Sequence, residues 1–290
     1  MFVIKSLLVL RKKIKKYHQQ KKTIAFIPTM GNLHKGHMEL INVGSLKADI
    51  IVVSIFINPI QFDNKKDFKK YPRTIYKDFQ QLKNHKVNIV FVPNESSIYH
   101  NTIDKQTIVD VPYYSSILEG EARPGHFRGV ATIICKFFNL IQPNIACFGE
   151  KDFQQLLLIR QLVLDMNYNI KIISVPTVRD SDGLALSSRN NYLTSEERQR
   201  ARNIYKILKK IKTKLLFGNH QLTNLIKTAK KQFLKSGIKP DILAIRDAYT
   251  LKPIKFNSKK AVLLFSGWLG KTRLIDNIQV NLLKKKDNIL

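Results

Sequence analysis

The sequence predicts an α/β fold, a parallel sheet with helices on both faces, followed by a smaller α+β domain. Short apolar runs without alternation recur along the chain and several stop at proline, as strands buried on both faces do. Helical patterns separate these runs. The alternation ends near residue 176. We therefore place a domain boundary at about residues 177–190.

Composition limits the classes of protein. Of the 290 residues, 44% are hydrophobic, which is enough for a real core. No apolar run approaches the ~18 residues that a membrane helix needs. The first basic run follows the first apolar run, the opposite order to a secretory signal. We expect a cytoplasmic protein without a membrane partner.

The formal net charge of +29 is concentrated in two regions. Residues 1–22 hold eight Lys and Arg, residues 198–239 hold thirteen, and neither stretch has Asp or Glu. One interpretation is a patch for nucleic acid or another anionic surface. The other is solvated helix faces, since the lysines alternate with Ile and Leu at helical spacing and lack interleaved aromatics. We favour solvated faces and expect no nucleic-acid partner.

The first elements follow from apolar periodicity. Residues 3–18 predict an amphipathic helix. Residues 23–27 predict a buried strand ended by Pro28. A helix over 38–47 and a strand over 49–57 complete a strand–turn–helix–strand unit, which is typical of parallel sheets.

The middle of the chain continues the alternation. In order, the patterns predict a helix within 71–86, a strand at 89–92, a strand at 108–111, a loop at 119–129, a helix at 130–141, a strand at 146–148, a helix at 151–166 and a strand at 170–175.

The last third changes character. A polar loop at 181–191 precedes Thr194-Ser-Glu-Glu, which is typical of a capped helix start. The helical pattern continues to about Lys235, with a break near Gly218-Asn219. Strands are predicted at 241–246 and 261–265, and a third near Leu274.

The stretch 23–40, TIAFIPTMGNLHKGHMEL, combines a buried strand, a glycine-bearing turn and a helix start. Backbone N–H groups and the helix dipole favour an anion there. His34 and His37 lie three apart, on one face, and could donate to a phosphate. Such a pair could also be structural or bind a metal. Gly31 and Gly36 directly after a strand favour a nucleotide site.

Three other polar segments follow strands or the predicted boundary. The first, 58–62, offers Gln61 for hydroxyl and carboxylate groups, although a simple polar loop explains it equally well. The second, 149–155, has Lys151 for phosphate and Asp152 for ribose or Mg²⁺, or it is a solvated helix start. In the third, 186–190, two hydroxyls and Arg189 could clamp phosphate.

Several signals of other chemistries are missing from the sequence. It contains no G-x-G-x-x-G, and Gly267 to Thr272 is too short between its glycines for a phosphate-binding Walker loop. It also lacks a G-x-S-x-G elbow and a plausible catalytic cysteine. A chemistry without a protein nucleophile therefore fits best.

Seven motifs in order resemble the pantothenate synthetase (pantoate–β-alanine ligase) family of the H-x-G-H nucleotidyl transferase superfamily. They are PTMGNLHKGH, SIFINPIQF, YPRTIYKDF, RPGHFRGVATI, FGEKDFQQL, GLALSSRNNYLT and GKTRLIDN. The resemblance runs over essentially the whole chain. Lys35 and His100 stand where the family often carries other residues.

The resemblance implies an AMP-forming acid–amino-acid ligase. It would join (R)-pantoate to β-alanine through pantoyl adenylate, with ATP as co-substrate and Mg²⁺ as cofactor, usually as a homodimer. A Rossmann-like ATP- and pantoate-binding domain would span 1–180, and a smaller α+β lid domain 181–290. The alternatives are another H-x-G-H adenylylating enzyme, or a basic nucleic-acid-binding protein.

The motifs also imply residue roles. His37, His34, Lys151 and Arg189 would be catalytic, and Gln61, Gln155 and Asn58 would bind substrate. The ATP-binding residues would be Met30, Gly31, Asn32, Leu33, His34, Lys35, Gly36, His37, Gly149, Glu150, Lys151, Asp152, Val178, Leu186, Ser187, Ser188 and Arg189. The motifs imply no particular metal ligands.

Overall fold

The computed structural model describes residues 1–63, 65–100, 105–217 and 221–282. The chain divides into two compact units, Met1–Val178 and Arg179–Leu290. Among the described residues, no helix combines the length and the apolar character needed to cross a bilayer.

The first unit is built on a six-stranded parallel sheet in the order β1-β4-β3-β2-β5-β6. Its strands are β1 Phe2–Ile4, β2 Ile24–Thr29, β3 Ile50–Ile55, β4 Ile89–Phe91, β5 Ile145–Gly149 and β6 Lys171–Val175. Its helices are α1 Leu7–Gln19, α2 Lys35–Ser45, α3 Lys65–Lys70, α4 Ile75–Asn84, α5 Glu95–Ile98, α6 Pro112–Ser116, α7 Glu119–Ala122, α8 His126–Ile141 and α9 Phe153–Asp165.

Strand β2 lies near the middle of the sheet and leads directly to the H-x-G-H turn. It pairs with β3 along its whole length but with β5 only at Ala25 and Phe26. The strand therefore continues through Pro28, beyond the predicted end. The missing N–H of Pro28 would point to the β5 side, where pairing has already stopped, so no ladder bond is lost.

Three predictions about the first unit are wrong. Residues 119–129 are not a single loop, because α7 occupies Glu119–Ala122 and α8 begins at His126. Residues Phe2–Ile4 form an edge strand paired with Ile89–Phe91 instead of the start of a helix. Helix α1 begins only at Leu7, and the Ser6 hydroxyl caps it by accepting the N–H of Val9. Residues 108–111 form no strand; the Val109 N–H is bonded to the Thr132 hydroxyl at 2.9 Å.

The parallel arrangement brings the carboxyl ends of the strands to one edge of the sheet. The turn to α2 follows β2, a short 3₁₀ helix at Pro59–Gln61 follows β3, and another at Glu150–Asp152 follows β5. Ligands of open α/β sheets bind at this edge. The apolar strand residues and the buried face of α2 form a common core beneath it.

The second unit has its own core of helices on a three-stranded antiparallel sheet. The Thr194 hydroxyl and the Glu197 carboxylate form the predicted capping box. The helix break predicted near Gly218-Asn219 lies outside the described residues. The elements are α10 Ser195–Ala201, α11 Asn203–Leu216, α12 Leu222–Lys235, β7 Ile238–Asp247, β8 Lys260–Leu269 and β9 Thr272–Asn281. The predicted fold class is confirmed.

Candidate active site

The N-terminus of α2 is capped by two histidine rings. The N–H of Gly36 donates to Nδ1 of His34 at 3.1 Å, and the N–H of His34 donates to Nδ1 of His37 at 3.2 Å. The ring centroids lie 4.1 Å apart. In a neutral imidazole, the nitrogen that accepts a hydrogen bond carries no proton. Both rings therefore carry their proton on Nε2, the nitrogen left free to donate.

Both imidazoles are held neutral. Burial lowers the pKa of His34 to about 4; the Lys151 ammonium also lowers it, and Asp152 opposes this effect. Burial lowers the pKa of His37 well below its usual value, and His34 and Lys151 lower it further. Lys151 thus acts on both rings, and it adds a positive charge to this edge of the sheet.

The backbone N–H groups of the preceding turn are already bonded within the protein. The N–H of Gly31 donates to the Thr29 hydroxyl at 3.2 Å, and those of Asn32 and Leu33 donate to the Asp78 carboxylate. This differs from the expectation that backbone donors would receive an anion. The Nδ1 atoms of the two imidazoles accept the N–H groups of His34 and Gly36 at the helix start. The donors offered to a ligand there are therefore the Nε2–H groups.

A cavity of about 180 Å³ lies at the same edge of the sheet. Its polar lining comes from segments that follow three different strands. Among the predicted site residues, it brings together Met30, His37, Asn58, Gln61, Asp152 and Gln155. The rest of the wall consists of Thr29, Tyr71 and apolar side chains from strand ends and from α8. The apolar residues are Pro28, Phe56, Val130, Ile133, Ile134, Phe137 and Phe148.

The segment after β3 is held by a buried amide. Asn58 is almost fully buried; its Nδ2 donates to Gln61 Oε1 at 3.1 Å and to the Gly129 carbonyl at 3.0 Å. The Tyr99 hydroxyl donates to Asn58 Oδ1 at 2.7 Å. Gln61 also donates to Met30 Sδ at 3.3 Å. Asn58 thus orients Gln61, and both of its own donors are used.

The end of α7 and the first turn of α8 support the same segment from outside. His126 Nδ1 lies 2.7 Å from the Gln61 carbonyl oxygen. Arg123 forms an ion pair with Asp63 at 2.8 Å. The sequence predicts only a loop here and indicates no role for these side chains.

Two neighbouring glutamines at the start of α9 differ in their surroundings. Gln155 lines the cavity, whereas Gln154 is 4% exposed and bonded to backbone. Gln154 Nε2 donates to the carbonyls of Tyr114 and Ile117, each at 2.8 Å, and its Oε1 accepts the Glu119 N–H at 3.2 Å. Of the pair, only Gln155 can face a ligand in this cavity.

The other predicted ATP-binding residues occupy two places. In the first unit, Val178 lies beside Gly36: a Cβ atom built at Gly36 would be 3.9 Å from the Cβ of Val178. Lys35 is exposed. Gly149 ends β5 and Glu150 begins the 3₁₀ helix after it. Leu186, Ser187, Ser188 and Arg189 belong to the second unit, where the Ser187 hydroxyl accepts the Arg189 N–H at 3.3 Å.

The sequence reasoning missed three of the residues that shape the site: Asp78, Tyr99 and His126. For Asp78 a signal existed, because it shares the apolar face of a predicted helix with Ile75 and Leu82. The contacts of Tyr99 and His126 join segments more than 40 residues apart. No local pattern indicates such contacts.

The fold and this edge of the sheet define an α/β protein that binds ligands at the carboxyl ends of parallel strands. The sequence profile of the family described as Pantoate-beta-alanine ligase matches residues 2–279. The chain therefore belongs to the pantoate–β-alanine ligase family. The resemblance seen in the seven motifs is confirmed, and with it the ligase activity on pantoate and β-alanine.

Solved structures agree with this assignment. The chain is similar to the pantothenate synthetase from Thermus thermophilus, with 35% identity and a TM-score of 0.89, covering 96% of this chain and 99% of that one. It is also similar to a pantoate-beta-alanine ligase from Francisella tularensis complexed with beta-gamma ATP and beta-alanine. There the identity is 35%, the TM-score is 0.80, and the match covers 96% of this chain and 97% of that one.

Proposed function

We propose that the enzyme ligates pantoate and β-alanine in two steps at the carboxyl edge of the first-unit sheet, with ATP as the energy source. In the first step, a pantoate carboxylate oxygen bonds to the α-phosphorus of ATP, and the bond to pyrophosphate breaks. In the second, the uncharged amine of β-alanine bonds to the acyl carbon, a proton leaves the nitrogen, and the C–O bond to AMP breaks. One observation carries this proposal: a single cavity joins polar side chains that follow β2, β3 and β5.

The cavity suits the acid and not the whole nucleotide. Pockets for drug-sized ligands occupy about 300–1,000 Å³, and this cavity has about 180 Å³. Pantoate combines a carboxylate and two hydroxyls with a carbon that bears two methyl groups. Gln61 and Gln155 offer donors and acceptors for its polar groups, and Ile133 and Phe137 offer apolar surface for its methyl groups. Gln61 would also contact β-alanine, whereas the role of Asn58 would be to hold Gln61.

The phosphates of ATP would lie against the histidine-capped helix start. Negative charge grows on the non-bridging oxygens as the carboxylate attacks the α-phosphorus. The Nε2–H groups of His34 and His37 are fixed donors for that charge, and the Lys151 ammonium neutralises part of it. His37 also lines the cavity proposed for pantoate, so it would lie where the two substrates meet.

The remaining contacts to ATP are proposed from the family motifs. Met30 to His37, Gly149 to Asp152 and Val178 would surround the nucleotide. Leu186 to Arg189 would bind the triphosphate from the second unit, where Ser187 and Ser188 supply hydroxyls and Arg189 a guanidinium.

Magnesium would be held mainly by the ATP phosphates. Mg²⁺ typically takes one or two protein carboxylates together with phosphates and water. The described residues contain no cluster of three or more His, Cys, Asp or Glu suited to a metal, whereas Asp152 lines the cavity at the proposed phosphate side. This donor set fits a nucleotide-bound Mg²⁺, with Asp152 as its protein ligand. The ion would supply charge neutralisation at the phosphates.

The family also suggests a homodimer. Light scattering of the purified protein checks this proposal, since a dimer has twice the 33.6 kDa mass of the chain.

Product analysis tests the proposed order of steps. With ATP, Mg²⁺ and pantoate alone, we expect one equivalent of pyrophosphate per active site and enzyme-bound pantoyl adenylate by mass spectrometry. Addition of β-alanine should give turnover, with pantothenate and AMP formed in equal amounts. Pyrophosphate release that requires β-alanine, or ADP as the product, would contradict the proposal.

A further inference from the structure

Asp78 is a buried carboxylate that faces the turn between β2 and α2. It is 1% exposed and lies on the face of α4 that also buries Leu82. A buried carboxylate is costly unless its oxygens are hydrogen-bonded or paired. Its bonding partners therefore indicate what this charge does in the structure.

The two oxygens of Asp78 bond to successive backbone N–H groups. Oδ2 accepts the N–H of Asn32 at 3.0 Å, and Oδ1 accepts the N–H of Leu33 at 2.9 Å. The Thr74 hydroxyl lies 3.2 Å from each oxygen and orients the carboxylate. One helical turn further on, Gln81 Nε2 donates to the Leu33 carbonyl at 3.3 Å. Helix α4 thus holds Leu33 at both of its backbone polar groups.

The turn needs this support because its backbone is unusual. Gly31 has φ +78° and Asn32 has φ +50°, so two consecutive residues are left-handed. A left-handed conformation is uncommon for a residue with a side chain, and asparagine is one of the few that adopt it readily. Successive N–H groups in such a turn converge on one anion. Asn32 and Leu33 are buried, so without the carboxylate their N–H groups would lose their hydrogen bonds.

The position of the turn controls the position of both imidazoles. Leu33 directly precedes His34, whose ring and backbone form the capping box with Gly36 and His37. Any shift of Leu33 therefore moves both rings. A misplacement of about 1 Å in a reacting assembly can cost about a hundredfold in rate.

We propose that Asp78 is a positioning residue for adenylyl transfer. Its carboxylate fixes the backbone of residues 31–33 so that His34 and His37 present Nε2 to the phosphate that is transferred. The inference rests on the proposed function, in which these two rings donate to the phosphates of ATP.

Asp78→Asn tests the inference most closely. The amide keeps one acceptor oxygen but turns an NH₂ group toward the second backbone N–H. We expect the pre-steady-state rate of pantoyl adenylate formation, per folded active site, to fall about a hundredfold, while the KM for pantoate stays close to wild type. The ¹⁵N resonances of the His34 and His37 rings should also shift as their Nδ1 hydrogen bonds change. A merely structural role would move neither quantity per folded molecule.

Asp165→Asn is the matched control. Asp165 is an exposed carboxylate at the end of α9 that accepts a bond from Gln161 at 2.7 Å. This variant should keep both the wild-type rate and the wild-type ring resonances.

A second variant decides the question if Asp78→Asn does not fold. Gln81→Met removes the other tether of Leu33 from a partly exposed site, and we expect an adenylation rate about tenfold lower, as for loss of one hydrogen bond. A wild-type adenylation rate in folded Asp78→Asn, or in Gln81→Met when the first variant is insoluble, would overturn the inference. If His37→Ala is inactive while these variants are normal, only the role of Asp78 fails. If His37→Ala is itself active, the proposed function of the histidines fails.

Discussion

At the scale of single residues, the two histidines at the start of α2 divide their ring nitrogens between structure and ligand. Nδ1 of each ring accepts a backbone N–H from the helix start. This leaves Nε2–H as a donor whose direction is set by the helix. The two neutral rings thus accept hydrogen bonds from the partially positive helix N-terminus and present N–H donors to the ligand side.

Replacing His37 with alanine should remove one such donor. We expect kcat to fall by about two to three orders of magnitude, as when a fixed donor to a developing charge is lost, with little change in ATP affinity. Steady-state kinetics and calorimetric titration with ATP measure the two effects. His85→Ala is the control, because the His85 ring is bonded to Asn42 on α2 and lies outside the cavity lining. Near-normal turnover in His37→Ala would refute the assignment.

The lowered histidine pKa values predict how stability depends on pH. In the unfolded chain the imidazoles bind protons as the pH falls through about 6.5, whereas folded His34 binds one only near a pKa of about 4. Between these values the unfolded state holds more protons, so the free energy of unfolding decreases as the pH falls. The contribution is fully present above about pH 6.5.

Ring titration by NMR measures this effect directly. His34 and His37 should stay neutral from about pH 8 to pH 6, since their pKa values are lowered by burial and then by neighbouring charges. In Lys151→Met, both pKa values should rise because one of those charges is gone. A His34 ring that titrates near its ordinary pKa in the wild-type protein would contradict the geometry.

The adjacent glutamines of α9 give a matched pair of variants. Gln155→Leu should raise the KM for pantoate about tenfold to a hundredfold, the cost of a hydrogen bond to a charged group, without lowering the melting temperature. Gln154→Leu should do the reverse, because it removes three hydrogen bonds between a buried side chain and the backbone of residues 114–119. We expect it to destabilise the fold by at least about 2 kcal/mol. An unchanged KM in folded Gln155→Leu would exclude its proposed role.

At the scale of elements, the close approach of α8 to the segment after β3 sets the position of Gln61. A Cβ added at Gly129 would lie 2.7 Å from the backbone nitrogen of Gln61. Gly129→Ala should therefore push the two elements apart and raise the KM for pantoate by about tenfold or more. Gly44→Ala is the control, because its nearest neighbours are at ordinary contact distance, 3.4 Å. Unchanged kinetics in Gly129→Ala would show that the approach is not needed.

The elements that the sequence predicts well are those with a strong local signal. Buried apolar runs predicted β2, β3, β5 and β6, and the Thr194 capping pattern predicted the start of α10. Short elements defined by distant pairing were not predictable in this way. Phe2–Ile4 is a strand because it pairs with Ile89–Phe91, more than 80 residues away. Residues 108–111 have strand-forming side chains but no strand to pair with in the described structure.

The candidate site shows the same contrast between local signals and contacts of distant residues. Motifs located the residues that line the cavity, including His37, Gln61 and Gln155. They did not reveal that Asp78 and the two Nδ1 atoms already accept the backbone N–H groups of the turn and of the helix start. That outcome depends on contacts between α4 and a turn 45 residues earlier. Local periodicity contains no information about such contacts.

At the scale of the whole molecule, the residues predicted to bind the substrates are divided between two units, each with its own core. The first unit contains the cavity and the histidines, and the second contains the segment 186–189. The chain carries a net charge of +29. That the charge reflects solvated helix faces, without a nucleic-acid partner, stays a prediction. Gel-shift assays at physiological salt examine it, because purely electrostatic binding weakens steeply as salt is raised.

The central claim is that the pantoate carboxylate attacks the α-phosphorus of ATP at the histidine-capped N-terminus of α2. Pantoate labelled with ¹⁸O in its carboxylate tests this claim most directly. If the carboxylate attacks phosphorus and β-alanine then displaces AMP at carbon, mass spectrometry should find one ¹⁸O atom in AMP and none in pyrophosphate. AMP without label, or label in pyrophosphate, would contradict the account.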